Sequence, residues 1–349
     1  MKDIIGIIVE YNPFHNGHLL HINKIKEKYK DSLIIAVMSS SFTMRGDLSI
    51  FDKFKKTNHA LSNGVDLVIE LPFVYSIERS DIFASNAVKI LNLLGVNKII
   101  IGSEENNVLL YQEYYPKYDF NIKIPFMAND NLGFFYYKAI KDNNFNIELE
   151  TIKRIKSNYN DTNITDDVIA SASAIRSNIN IMEKYVPSNV YKDKDYILDD
   201  SLLFNYLKYI ILVNDIKTLG NIFLVDEGLE YKLKDIYKFD DCNKFIEHLK
   251  ETRYKVSRIK RMLLYVLFNI TKDMVNNIYK SDINFIRVLG FNNSGKEYLN
   301  KIKKDINIYT NIKEGINDVL DIEFMISKVL DSIYNIDLLK NEQKGPIMR

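Results

Sequence analysis

An α/β fold, a parallel sheet followed by a mainly α-helical region, is predicted by two features of the chain. Short apolar runs recur at Ile4 to Val9, Leu33 to Met38, Leu67 to Leu71, Lys98 to Gly102 and Ile122 to Phe126, and amphipathic patterns fill most of the gaps between them. Such alternation implies right-handed crossovers and helices on both faces of a parallel sheet. Beyond about Pro187 the strand-like runs fade and long helical patterns take over.

Taken in order, Ile4 to Val9 reads as a strand buried on both faces. Asn16 to Lys28 follows as a helix whose apolar stripe is Leu19, Leu20, Ile22 and Ile25. Further helices are expected at Asp52 to Ser62 and Ser80 to Leu94, then at Asp199 to Val213, Val256 to Ile270 and Ile316 to Ile333. The tail from Leu338 reads as weakly ordered. Two domains are expected, residues 1–186 and residues 187–349, in keeping with a chain of 349 residues that is 46% hydrophobic.

Charge and cysteine content narrow the class. With 47 basic against 46 acidic side chains the chain is not a strongly basic nucleic-acid binder, although a local basic patch remains open. Cys242 is the one cysteine and has no internal partner for a disulfide. No signal-peptide pattern and no apolar run of membrane-spanning length is seen, so a cytoplasmic protein is expected. One cysteine and five histidines do not assemble a zinc site at familiar spacings, and no protein-held metal is expected.

The chemistry concentrates in Tyr11-Asn12-Pro13-Phe14-His15-Asn16-Gly17-His18, where the first strand hands over to the first helix. Two imidazoles three residues apart at the positive end of a helix form a compact donor cluster suited to a phosphate chain. Gly17 leaves room for a ligand to approach the backbone. His21 and His59 read as helix-surface residues. A second cluster, Ser171-Ala172-Ser173-Ala174-Ile175-Arg176, places a capping serine and a permanent cation within one turn. That is either a plain capped helix or a second phosphate anchor. Gly102, at a strand end, can admit a ribose or base, and Arg45 can meet a carboxylate or a phosphate.

These residues bring the chain close to a known family. The His-x-Gly-His signature after a hydrophobic strand resembles the adenylyl- and cytidylyltransferase superfamily, which implies a Rossmann-like, nucleotidyltransferase fold for the first domain. The wider set Val9-Glu10-Tyr11-Asn12-Pro13-Phe14-His15-Asn16-Gly17-His18, Arg45-Gly46, Asp66-Leu67-Val68-Ile69-Glu70-Leu71-Pro72, Gly102-Ser103-Glu104 and Ala170 to Arg176 resembles the tRNA(Met) cytidine acetate ligase family. Glu227-Gly228-Leu229-Glu230, Ser257-Arg258-Ile259 and Arg287-Val288-Leu289-Gly290-Phe291 extend the likeness over most of the chain.

The resemblance implies that acetate and ATP form acetyl-adenylate with release of pyrophosphate, and that the acetyl group passes to N4 of the wobble cytidine of elongator tRNA(Met). Magnesium would arrive with ATP. Val9, Glu10, Tyr11, Asn12, Gly17, Gly102, Arg154, Ser171 and Ser173 are then expected to hold the nucleotide, and His15, His18 and Arg176 to hold the triphosphate and stabilise the transition state. Asn12, where the superfamily often has aspartate, can donate to phosphate or accept from a ribose hydroxyl. Two other outcomes stay open: a nucleotidyltransferase joining AMP or CMP to a phosphorylated small molecule, and a noncatalytic RNA-binding relative.

For RNA, the segment from Arg253 to Arg261 offers Arg253, Lys255, Arg258 and Arg261; Arg258 and Arg261 are expected to point away from the apolar stripe of their helix. Several positions depart from the family pattern. Ser40 and Ser41 stand for a usual Gly-Asn pair, Met44 for a glutamine, Phe135 for a glutamate and Asn160 for a histidine. These departures are expected around the pocket, where they would bear on the acyl or acceptor substrate.

Overall fold

The computed structural model describes residues 3–120, 124–154, 169–250 and 254–349. Its first half alternates as expected: β1 (Ile4–Val9), α1 (Asn16–Lys28), β2 (Leu33–Ser39), α2 (Lys53–Ser62), β3 (Leu67–Leu71), α3 (Ser80–Leu93), β4 (Lys98–Ser103), α4 (Ala128–Asp142) and β5 (Glu148–Lys153). The second half contains α5 (Ala172–Ser177), α6 (Ser201–Val213), α7 (Val256–Leu267), β6 (Phe285–Phe291), β7 (Asn307–Tyr309), α8 (Asp318–Tyr334), α9 (Leu338–Lys344) and β8 (Ile347–Met348), with further helices between them, among them Cys242–Lys250, Lys272–Tyr279 and Asn293–Ile302.

The strand order is β5-β4-β1-β2-β3-β6-β7, with β8 also on β6. From β5 to β3 all neighbours are parallel, in registers such as Val9 opposite Met38 and Ile99 opposite Leu149. The chain steps outward from β1 in both directions, so the order reverses between β1 and β4, where α/β sheets of this kind open a crevice at the carboxyl ends of their strands. Every residue of β2 and β3 is buried, as strands covered on both faces require.

Four sequence expectations are corrected. The fifth strand is not Ile122 to Phe126, whose described part is coil, but Glu148–Lys153. Its pattern Glu-Leu-Glu-Thr-Ile-Lys is polar because β5 pairs only with β4 and so forms an edge, where Glu150 bonds Lys28 and Tyr29. The helical second half returns a strand to the sheet: β6 runs antiparallel to β3, Leu67 opposite Phe291, across the expected division at residues 186/187. His59 is fully buried on α2, its Nε2 2.8 Å from Asp193. The segment from Leu338 is a helix, with Leu338 and Glu342 buried.

That last correction has an electrostatic cause. Lys53 of α2 lies 2.5 Å from Glu70 of β3, 3.1 Å from Glu323 of α8 and 2.5 Å from Glu342 of α9, and Arg287 of β6 lies 3.0 Å from Glu342. All five side chains are buried. Ser327 donates to Glu342 at 2.7 Å, and Ser40 and the Phe73 N–H donate to Glu323. Three carboxylates face two cations, and burial pushes the Glu70 carboxyl up to about 8, so a retained proton brings the cluster near neutrality.

A carboxyl with a raised folded pKa binds a proton in the folded chain that the unfolded chain releases. Its stabilisation is therefore complete below about pH 4.5 and is lost as pH climbs through about 8. Glu70→Gln should flatten the fall in unfolding free energy over that window, measured by denaturant titration at several pH values. Lys53→Ala, which strands the carboxylates, should cost about 3–5 kcal/mol. An unchanged pH slope in the glutamine variant would remove the protonated-Glu70 account.

Candidate active site

A cavity of about 260 Å³ opens where the sheet order reverses, bounded by the ends of β1, β4 and β5 and by the first turns of α1. The corner that shapes it is made by the histidines themselves. His15 is the N-cap of α1, and its Nδ1 accepts from the Gly17 N–H at 3.0 Å. In return the His15 N–H donates to Nδ1 of His18 at 3.2 Å, and the two rings stack with centroids 3.7 Å apart. A Cβ on Gly17 would stand 2.8 Å from Cε1 of His15, so only glycine permits the ring to fold back over the helix start.

Because both δ nitrogens accept, each neutral ring carries its proton on Nε2. Burial, followed by the charges of Arg154 and Arg176, pulls His15 down to about 3. Burial, followed by His15, holds His18 well below the ordinary imidazole range. The pair is thus a set of neutral N–H donors at physiological pH, and neither ring is a base waiting for a proton.

Asn12 resolves one ambiguity of the sequence. Its Oδ1 accepts from the Ile50 N–H at 2.9 Å, which leaves the buried Nδ2 as a donor without a partner. Tyr11, beside it, adopts a left-handed φ of 49°. Arg176 reaches the same turn from α5, donating through Nη1 to the Asn12 carbonyl at 2.6 Å and through Nη2 to Ser173 Oγ at 3.3 Å. Ser171 caps α5 by accepting from the Ala174 N–H at 3.0 Å. The histidine corner and the distant arginine therefore share one wall.

On the opposite side Arg154 lies over Gly102, where an added Cβ would meet its Cγ at 3.3 Å. Its buried Nε has no hydrogen-bond partner; the Glu104 carboxylate is 3.9 Å away. Glu10 is oriented by the Met44 N–H at 2.6 Å, and its carbonyl accepts from Lys56 Nζ at 3.0 Å. Val9, Arg45 and Met44 also line the cavity.

Sequence reasoning missed three contributors. His21 was expected on the helix surface, yet it lines the cavity with its Nε2 buried and unpartnered, and burial pulls it to about 4. It lies one turn beyond His18 on the same face of α1, a spacing that could have flagged it. Lys24, a further turn along, lines the cavity too. Lys56 is wholly buried, donates to the Glu10 and Ser39 carbonyls and to Ser49 Oγ, and is pulled down to about 7 by burial.

The RNA candidates are placed less as expected. Arg253 lies outside the described residues. Lys255 is exposed at the N-cap of α7. Arg258 is half-buried on Asp226 and the Leu224 carbonyl, and Arg261 is buried on the Glu78 carbonyl at 2.8 Å. Arg261 does not face solvent, because the segments around Glu78 and Leu224 cover this side of α7. Nor do the departures from the family pattern gather at the pocket. Met44 does, but Ser40 and Ser41 are buried outside its lining, Phe135 belongs to another cavity, and Asn160 lies outside the described residues.

A family model described as HIGH Nucleotidyl Transferase matches residues 1–121 and 120–345. The tRNA(Met) cytidine acetate ligase of Leuconostoc citreum is 36% identical over 341 aligned positions, covering 86% of this chain and 85% of that protein. That of Oceanobacillus iheyensis is 34% identical over 404, covering 99% and 100%. Among solved structures, apo Thermotoga maritima TmcAL superposes with a TM-score of 0.86 at 26% identity, over 100% of this chain and 99% of that one. The same protein bound with alpha-thio ATP gives 0.84 at 25%, with the same coverage. The chain belongs to the HIGH nucleotidyl transferase family and, within it, to the tRNA(Met) cytidine acetate ligases.

Proposed function

We propose that the protein activates acetate with ATP and acetylates N4 of the wobble cytidine of elongator tRNA(Met). The observation that carries the reading is the convergence, in one cavity, of two neutral Nε2–H imidazoles, the Arg176 guanidinium and the unpartnered nitrogens Asn12 Nδ2, His21 Nε2 and Arg154 Nε. Unpartnered polar nitrogens, buried in a crevice at a strand-order reversal, fit a polyanionic nucleotide.

The chemistry asks little of the protein beyond position and charge. An acetate oxygen attacks the α-phosphorus of ATP, the bond to the β-phosphate oxygen breaks, and pyrophosphate leaves with the developing charge. A carboxylate nucleophile has no proton to lose, so no general base is needed. His15, His18 and Arg176 donate to the triphosphate as that charge grows, Gly102 gives the ribose or base a close approach, and Val9, Glu10, Tyr11, Gly17, Ser171 and Ser173 frame the nucleotide. The cytidine N4 then attacks the acetyl carbonyl carbon, AMP departs and N4 releases a proton. Magnesium would travel on phosphate oxygens and water. Residues 1–186 would supply activation and residues 187–349 contribute to tRNA binding, in the cytoplasm. No helix among the described residues is long and apolar enough to cross a membrane.

Acetate-dependent exchange of labelled pyrophosphate into ATP tests the reading. Exchange with ATP and acetate, and none with CTP, is expected; no exchange with any small carboxylate would overturn it. His18→Ala and Arg176→Ala should each lower exchange by about 10²-fold or more with the urea midpoint little changed. A loss of only a few-fold would take both groups out of the transition state. Because their lowered pKa values keep His15 and His18 neutral through the neutral and mildly acid range, the exchange rate should show no histidine-dependent fall below about pH 6.5. A limb there that His15→Asn abolishes would show that a titrating imidazole carries the step.

A further inference from the structure

A second and larger cavity, about 860 Å³, lies against the first with a wall one helix layer thick between them. On α3, Phe83 lines the first cavity while Ile82, Ser85 and Lys89 line the second; on α4, Leu132 and Tyr136 line the first while Phe135 and Lys138 line the second. The two also approach around Gly46, where an added Cβ would stand 2.8 Å from the Arg261 backbone nitrogen. The loop carrying Met44 and Arg45 into the first cavity thus rests on the helix that walls the second.

The lining of this second cavity is unlike that of a small-molecule pocket. Five cations line it, Arg79, Lys89, Lys138, Arg258 and Arg261, and four of them are paired at its rim: Arg79 with Asp81, Lys138 with Asp142, Lys89 with Asp282 and Arg258 with Asp226. Aromatic rings stand among the cations. Phe120 is 62% exposed with the Arg79 guanidinium 4.7 Å from its ring centre, and Tyr118 packs on Phe135. At the back, Nη1 of Arg258 and Nε of Arg261 are buried without hydrogen-bond partners. An exposed ring backed by a guanidinium is a stacking platform for an unpaired base, and the two unpartnered guanidinium nitrogens are donors for a phosphate oxygen.

We propose that this second cavity receives the anticodon loop of the tRNA, with a loop base stacked on Phe120 beside Arg79, so that the neighbouring wobble cytidine reaches over the shared wall to the activated acetate. The inference rests on the function proposed above and names where its RNA substrate docks. It replaces the solvent-facing stripe on α7 as the principal RNA contact, since Arg258 and Arg261 lie against this cavity instead of pointing away from the protein. A loop is the part of a tRNA whose bases can be splayed onto aromatic rings, which the base-paired stems do not permit. Phe120 stands mostly outside the core, so its removal probes the ligand and not the fold.

The test uses the full chain and an RNA stem–loop carrying the anticodon arm of elongator tRNA(Met). Phe120→Ala should weaken stem–loop binding about 10-fold, and Phe120→Trp should restore it. Arg79→Ala should reduce the slope of log affinity against log salt by about one. Acetate-dependent pyrophosphate exchange should be unchanged in all three. Wild-type affinity in both alanine variants, or exchange falling in step with binding, would overturn the assignment of this cavity to RNA. A wild-type chain that shows no exchange would instead strike at the proposed function, and one that exchanges and acetylates tRNA while both alanine variants bind normally would sink this inference alone.

Discussion

Two lysines one turn apart on α2 hold the two halves of the molecule to the site. Lys53 turns into the carboxylates of Glu70, Glu323 and Glu342, and so ties β3, α8 and α9 to one point. Lys56, three residues on, donates to the carbonyls of Glu10 and Ser39 at the carboxyl ends of β1 and β2. The buried Lys56 side chain thereby bridges the two strand ends. Neither lysine meets the cavity, yet the crevice keeps its shape because the strand ends and the C-terminal helices are fixed to the same helix. Burial of such charges is expensive unless each is paired, which is why the cluster carries three acids, two bases and three neutral donors instead of a single ion pair.

The site itself divides its donors by kind. Arg154 and Arg176 bring permanent charge, while His15 and His18 bring N–H groups whose burial keeps them neutral. The arginines contribute to that neutrality, since their charge further lowers the His15 pKa. Two cations beside a phosphate chain give long-range attraction. Neutral donors give direction without adding to the repulsion among cations before the nucleotide arrives. The reciprocal bonds between His15 and His18 also remove the choice of tautomer, so both Nε2–H groups are presented before any ligand binds.

Much of this was legible in the sequence, and the legible part has a common physical basis. The strands β1 to β4, the helices between them and the His15–His18 turn announce themselves because apolar periodicity and turn chemistry are local properties. A serine cap for α5 follows for the same reason, although the choice of Ser171 over Ser173 is made only by the fold. What escaped depends on partners far away in the chain. Glu342 reads as a solvated tail until Lys53 and Arg287 are brought to it, and β6 reads as one apolar segment in a helical half until β3 supplies an antiparallel neighbour. β5 escaped because an edge strand need not be apolar, and His59 because its burial depends on Asp193. The direction of the Asn12 amide likewise rests on the backbone of Ile50, which no motif reveals.

The departures from the family pattern gain a different meaning once placed. Ser40 is buried and donates to Glu323, so it serves the charge cluster and not the nucleotide. Met44 does line the activation cavity, but the bond that orients Glu10 comes from its backbone N–H, which any residue except proline supplies. Phe135 stands in the wall of the second cavity, against Tyr118, where the family's usual glutamate would add a fourth carboxylate to a surface that already holds three. The aromatic ring instead packs on Tyr118 in the lining that Phe120 shares. Among the described residues, then, the departures leave the donors of the activation cavity in place and alter the core and the neighbouring cleft.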